Sequence, residues 1–216
     1  MRRNQKLYQQ IEVESSGGYN LVMSKDEPIP IDFDELLAAE FDYIAQTAAQ
    51  ANEDRARVSS FYLIAVGSLV AALFGTQFFD PNFFSLTVDL MFSGLFVLLT
   101  LLGTSTIMQL ARLRAAWYES MLAMNQLKDY MMSENQSLVK AFRWKTSTLP
   151  SKYKTGSVSY YQAIEVALIS GLMFGAATFF LQQAFFSIGL LHWIISVLMG
   201  ALTIYLQLLI YKRTLK

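Results

Sequence analysis

From Val58 to Phe79 the chain runs 22 residues without a charge. A helix rises about 1.5 Å per residue and a bilayer's hydrocarbon core is about 30 Å thick, so this stretch is long enough to cross a membrane. Three more stretches are apolar over a similar length: about Phe84 to Thr104, with Asp89 as its one charge, about Tyr160 to Leu181, with Glu165, and about Leu190 to Tyr211, with none. The first pair is separated by Asp80-Pro81-Asn82, residues that favour a tight turn. The second pair is separated by Phe179 to Ser187, which repeats the paired phenylalanines of the first turn. The pattern predicts an all-α membrane protein with four transmembrane helices.

The first and third spans also share residues at an offset of one hundred. Val58, Ser59, Ile64, Val66, Phe74, Gly75 and Phe79 correspond to Val158, Ser159, Ile164, Val166, Phe174, Gly175 and Phe179, with Phe61 opposite Tyr161. Two hairpins of one design are expected.

A different periodicity flanks the first hairpin. Asp32, with Glu35 three residues on, is an N-cap candidate. Leu37, Phe41, Ile44, Ala48, Ala51, Arg55 and Val58 then follow in alternating steps of four and three. Beyond the second span, Leu110, Leu113, Trp117, Met124, Leu127, Met131 and Leu138 keep a similar spacing to about residue 140. Both are coiled-coil-like seams, and no breaker separates either from its span. The expectation is two long helices whose extensions pair as a stalk, with Leu37, Phe41 and Ile44 packed on Trp117, Met121, Met124 and Met131. The predicted organisation is a flexible tail over 1–31, a long-helix hairpin over 32–140, a basic linker over 141–157 and a second hairpin over 158–216.

Charge adds the orientation. All 17 Lys and Arg lie in residues 1–57, 112–154 or 212–216, and neither hairpin turn carries one. The positive-inside rule then predicts cytoplasmic termini and a cytoplasmic central segment. Both hairpins cross in the same sense, so the repeats are parallel rather than inverted. Residues 1–57 carry 11 acids against six bases, and 135–164 carry five bases and no acid. The two segments are complementary. The basic one, with Trp144 and Tyr153, suits anionic lipid headgroups. No apolar run precedes Val58, so the first span is expected to do the targeting.

Composition excludes more than it assigns. With no cysteine and one histidine, the chain offers no disulfide, no thiol chemistry and no recognisable metal-ligand cluster. No glycine loop that would cradle phosphates and no nucleophile–base spacing is present, so neither an enzyme nor a cofactor is expected. Nothing points to nucleic acid.

The candidate positions are charges and small residues. Asp89 lies inside the second span and His192 at a similar depth in the fourth. They form a pair at an outer mouth, or they are two separate interfacial side chains. Glu165 falls about one turn inside the third span. It faces a pore, or it pairs with Arg112, Arg114, Lys152 or Lys154 at the inner boundary. Gly67, Ala71 and Gly75, and again Ala167, Gly171 and Gly175, recur at every fourth residue, the spacing of close helix contact between subunits or within one bundle.

In architecture the chain resembles the SLATT and other four-transmembrane bacterial effectors of nucleotide-signalling conflict systems. The resemblance covers residues 32 to 140. It rests on the helix entering the first span through Glu53-Asp54-Arg55-Ala56-Arg57, on the short outer turns and on the long helix after the hairpin. It carries over no functional residue. It implies a pore-forming protein of the bacterial inner (plasma) membrane. The expected function is a homo-oligomeric channel gated through its cytoplasmic helices, with Ser68, Thr87, Ser93, Thr100, Ser170, Thr178, Thr203 and Gln207 as scattered polar groups in the spans. The alternative is a non-conducting scaffold that recruits a cytoplasmic protein.

Overall fold

The computed structural model describes residues 32–77, 86–187 and 189–216. The predicted tail, the first hairpin turn and the charges they carry lie outside the described residues. Among those described, every regular element is helical: α1 (Phe33–Gln77), α2 (Leu86–Glu134), α3 (Val158–Phe185) and α4 (Leu190–Thr214), with short 3-10 turns at Gln136–Lys140 and Thr146–Thr148. Each of the four long helices is long and apolar enough to cross a membrane, which marks a membrane protein.

The chain divides into two units. In Met1–Leu36 the described part is Asp32 and the first turn of α1. The Asp32 carboxylate accepts from the Asp34 and Glu35 amides at 3.1 and 3.4 Å, which is the cap expected there.

α1 is unbroken for 45 residues and α2 for 49. α2 ends six residues short of the expected 140. Asn135 stops it, because its side chain accepts the Ser137 amide at 3.0 Å and redirects the chain into a 3-10 turn. α3 runs four residues beyond the expected end of its span, through most of the predicted turn. Gln182 explains this: its Nε2 donates to the Thr178 carbonyl at 3.0 Å and to Ser196 Oγ at 3.1 Å, so it is a packed helical residue.

α2, α3 and α4 form the tightest part of the bundle, and α1 joins their core through Tyr62 and Val66. α3 and α4 approach backbone to backbone. A Cβ on Gly200 would stand 2.7 Å from the Gly171 carbonyl oxygen, and one on Gly175 would stand 3.1 Å from that of Ser196. Ala167 is fully buried nearby. The matching stripe on α1 behaves differently: nothing lies within 4 Å of a Cβ at Gly67 or Gly75. Other shared positions keep their facing. Ser59 and Ser159, and Val66 and Val166, are buried, whereas Phe61 and Tyr161 are exposed.

The seam on α1 is visible as burial. Ile44, Ala48, Ala51 and Arg55 are buried, and Leu37, Phe41 and Val58 are half-buried. The Lys128 ammonium of α2 lies 5.5 Å from the Phe41 ring. Trp117 meets the linker. It shares a groove of about 410 Å³ with Met121, Asn125, Trp144, Leu149 and Pro150. The linker runs back along α2 as a strap. Asp129 accepts the Thr146 amide at 3.2 Å, Asn125 donates to the Lys145 carbonyl at 3.2 Å, and Lys152 pairs with Glu119 at 3.2 Å. Gly156, at φ +80°, makes the left-handed turn into α3, and Ser157 caps that helix by accepting the Tyr160 amide.

A buried polar column as the candidate functional site

The inward face of α2 carries Asp89, Ser93, Thr100, Gly103, Thr106 and Arg114 among its buried residues, a polar series inside an otherwise apolar bundle. Polar side chains of the other helices meet it level by level. Ser93 Oγ donates to the Ala177 carbonyl at 2.9 Å. One level on, Thr100 and Ser170 exchange hydroxyl-to-carbonyl bonds at 3.4 and 3.3 Å. Gln207 of α4 then donates to Ser170 Oγ at 2.7 Å and to Thr104 Oγ1 at 2.9 Å. The Tyr62 hydroxyl of α1 reaches the same level, since it and Ser170 Oγ would each lie 2.7 Å from a Cβ on Gly103. Gly103 is required there: any side chain would occupy the space in which the two hydroxyls meet.

Most polar atoms in this column are paired, as burial demands. Two are not. Asp89 Oδ1 and Gln207 Oε1 are buried with no hydrogen-bond partner. Both can accept. The Tyr62 hydroxyl faces Ser170. The other polar residues noted in the spans do not join them. Thr178 and Thr203 donate to the carbonyl four residues back on their own helix, at 2.9 Å each, and Ser68 and Thr87 are exposed.

Asp89 is 5% exposed. His192 does not pair with it. His192 Nδ1 accepts the Gly189 amide at 3.0 Å and so closes the start of α4, and its ring lies 6.2 Å from that of Phe186. Glu165 and Arg112 are exposed, and neither forms an ion pair among the described residues. Glu165 stands on an outward stripe with Val158, Tyr161, Leu168 and Leu172. The complementary charges of 1–57 and 135–164 form no ion pair with each other among the described residues either.

At the end opposite Asp89 the column closes on Ser159 and Tyr211, joined hydroxyl to hydroxyl at 2.8 Å. Tyr153 and Tyr160 pack around Tyr211 with ring centroids 6.5 and 6.3 Å away. Such an aromatic cluster is what the boundary between hydrocarbon and water favours. Two arginines lie here, both beyond the apolar spans. Arg55 is 9% exposed and Arg114 6%. Arg114 Nε donates to the Lys152 carbonyl at 3.3 Å, and its guanidinium lies 4.4 Å over the Trp117 ring. Arg55 donates to Asn52 Oδ1, and its Nε is buried without a partner. Burial, and then the charge of Arg114, lower the pKa of Arg55; burial likewise lowers that of Arg114. Both arginines also feel Tyr211.

No family model matches the chain, and no curated protein or solved structure is detectably similar to it. The site therefore has to be understood from its own chemistry.

Arg114 was among the sequence candidates; Tyr62, Thr104, Tyr211 and Arg55 as a site residue were not. Arg55 did leave a signal, a charged residue at a position of the apolar seam. Tyr62 and Tyr211 left none, because a tyrosine near a span end looks like any interfacial aromatic.

Proposed function

We propose that the protein is the subunit of a homo-oligomeric membrane channel, with its termini and helical extensions on the cytoplasmic side. The observation that carries this reading is the pair of unpaired acceptors along the buried column, Asp89 Oδ1 and Gln207 Oε1. Polar groups inside a membrane bundle are costly and are retained where they serve a passing ion, proton or water. A conducting route must replace the hydration an ion leaves behind, and acceptors spaced from Asp89 to Gln207 suit that task. The route is closed in the packed bundle, and the strap of residues 141–157 joins its basic end to the α2 extension, where a cytoplasmic event would act.

Assembly is supported by the stripe of Gly67, Ala71 and Gly75. Its counterpart on α3 packs against α4 within the chain, whereas on α1 it is left open. Copies meeting through α1 would bring backbones together as Gly171 and Gly200 do. The parallel hairpin repeat and the paired stalk belong to the same reading.

A scaffold is the second reading. It is favoured by the exposed acids Glu40, Asp42 and Glu53 on the α1 extension, none of which forms an ion pair among the described residues. The deciding experiment is reconstitution of the purified chain in planar bilayers. Current that is lost in Gln207→Leu supports the channel; a protein that inserts, stays monomeric and passes no current leaves the scaffold.

A further inference from the structure

Buried arginines normally face carboxylates, because a desolvated charge left without a counter-charge is strongly destabilising. Among the described residues, Arg55 and Arg114 have none. Among the described carboxylates, Asp54 pairs with Arg57 at 3.4 Å, Glu119 with Lys152 at 3.2 Å, Asp129 accepts the Thr146 amide and Glu165 is exposed. No described acid lies within 4.0 Å of either buried guanidinium. The two like charges instead share one neighbourhood, around the Tyr211 hydroxyl.

The donors that remain describe the missing group. Arg55 Nε is orphaned, Arg114 has spent only its Nε on the Lys152 carbonyl, and the Tyr211 hydroxyl that both arginines feel is itself joined to Ser159 at 2.8 Å. Guanidinium forks with adjacent hydroxyls match an oxyanion with several acceptor oxygens better than a lone carboxylate. The tyrosine cluster of Tyr153, Tyr160 and Tyr211 sets the depth at which phosphate groups of a bilayer begin. We infer that Arg55 and Arg114, with Tyr211, form a binding site for a phosphate oxyanion at the basic end of the bundle. The shared chemistry is the phosphate group, carried by an anionic lipid or by a free phosphate species. The site stands apart from the unpaired atoms that carry the channel reading, so either proposal can fail without the other.

The structure supplies a reporter, since Trp117 lies directly under the Arg114 guanidinium. In full-length protein carrying Trp144→Phe and Trp193→Phe, Trp117 is the remaining tryptophan. Its emission and the thermal midpoint are followed in non-ionic detergent during titration with inorganic phosphate, and separately with short-chain phosphatidic acid, with chloride holding ionic strength constant. The expected result is a saturating emission shift and a raised midpoint with at least one probe. Saturation by phosphatidic acid alone assigns the lipid source; saturation by inorganic phosphate, in competition with the lipid, assigns the free one. Arg55→Lys keeps the charge but loses the fork, and weakens binding about tenfold. Arg55→Gln and Arg114→Gln abolish saturation. Without anion, Arg55→Gln raises the midpoint, because it removes one of two uncompensated like charges. A shift that follows ionic strength alone, fails to saturate with either probe, or survives in Arg55→Gln overturns the site. Should the glutamine variants fail to fold, the Arg55→Lys titration decides by itself.

Discussion

Gln207 Nε2 donates to Ser170 Oγ at 2.7 Å, so α4 is tied to α3 by a polar contact in the middle of an apolar bundle. The same nitrogen reaches Thr104 of α2 at 2.9 Å, while Gln207 Oε1 has no partner. One side chain thus links three helices and still exposes an unmet acceptor to the interior.

Gln207→Leu keeps the volume and removes both donors. Ser170 keeps its bond to the Thr100 carbonyl and Thr104 its own, four residues back, so neither hydroxyl is orphaned. Interhelical hydrogen bonds in membranes average about 0.6 kcal/mol each. The variant should therefore lose no more than about 1 kcal/mol in a reversible unfolding assay. A loss several times larger would make Gln207 a structural keystone and weaken its assignment to a route.

The repeated small-residue stripes predict opposite outcomes for one substitution. Gly200→Ala pushes a methyl against the Gly171 carbonyl oxygen, with 2.7 Å available, and overpacking of this kind costs about 1–3 kcal/mol. Gly67→Ala meets nothing within 4 Å and gains helix propensity of about 1 kcal/mol. In detergent, the first should lower the thermal midpoint and the second should hold or raise it. If copies assemble through α1, Gly67→Leu should lower the oligomer's mass in light scattering while leaving the monomer folded.

How much of this was legible depended on which interactions were local. The spans follow from long apolar runs, the α1 seam from its spacing, and the start of α1 from Asp32. All three are decided by nearest neighbours along the chain. The partners of each face are not. Gly75 and Gly175 each follow a phenylalanine at the same place in the repeat, yet only Gly175 meets α4, because contact is decided by which helix arrives. Gln182 reads as a turn residue until Ser196 is seen opposite it. Asp89 and His192 share a depth, but Gly189 takes the His192 ring first. Trp117 fits the seam, but the strap through Lys145 and Lys152 covers it.

That strap supplies a further test. Asn125→Ala removes the bond to the Lys145 carbonyl, and Asp129→Ala the acceptor of the Thr146 amide. Each bond is worth about 0.5–1.5 kcal/mol, so the double variant should open the strap roughly tenfold more often. Trypsin cleavage after Arg143 and Lys145 should accelerate accordingly, with the apolar helices still protected. Unchanged cleavage would mean that the Trp117 groove, not the hydrogen bonds, holds the segment.

Asp89→Asn separates the channel from a merely structural carboxyl. Asp89 is 5% exposed and its Oδ1 has no partner, so the folded state gains little from the acid as such. A buried polar atom without a partner is a net cost, and an isosteric amide carries less of it. The variant should fold with an unchanged or higher thermal midpoint. Its effect should appear in transport: in bilayers under a potassium chloride gradient, the reversal potential should move from the potassium side towards zero as the acidic group at the start of the route is lost. A destabilised variant would show that Asp89 meets a partner in the membrane-embedded protein. A reversal potential that does not move would remove Asp89 from the route and confine any conduction to the contact between copies at Gly67, Ala71 and Gly75.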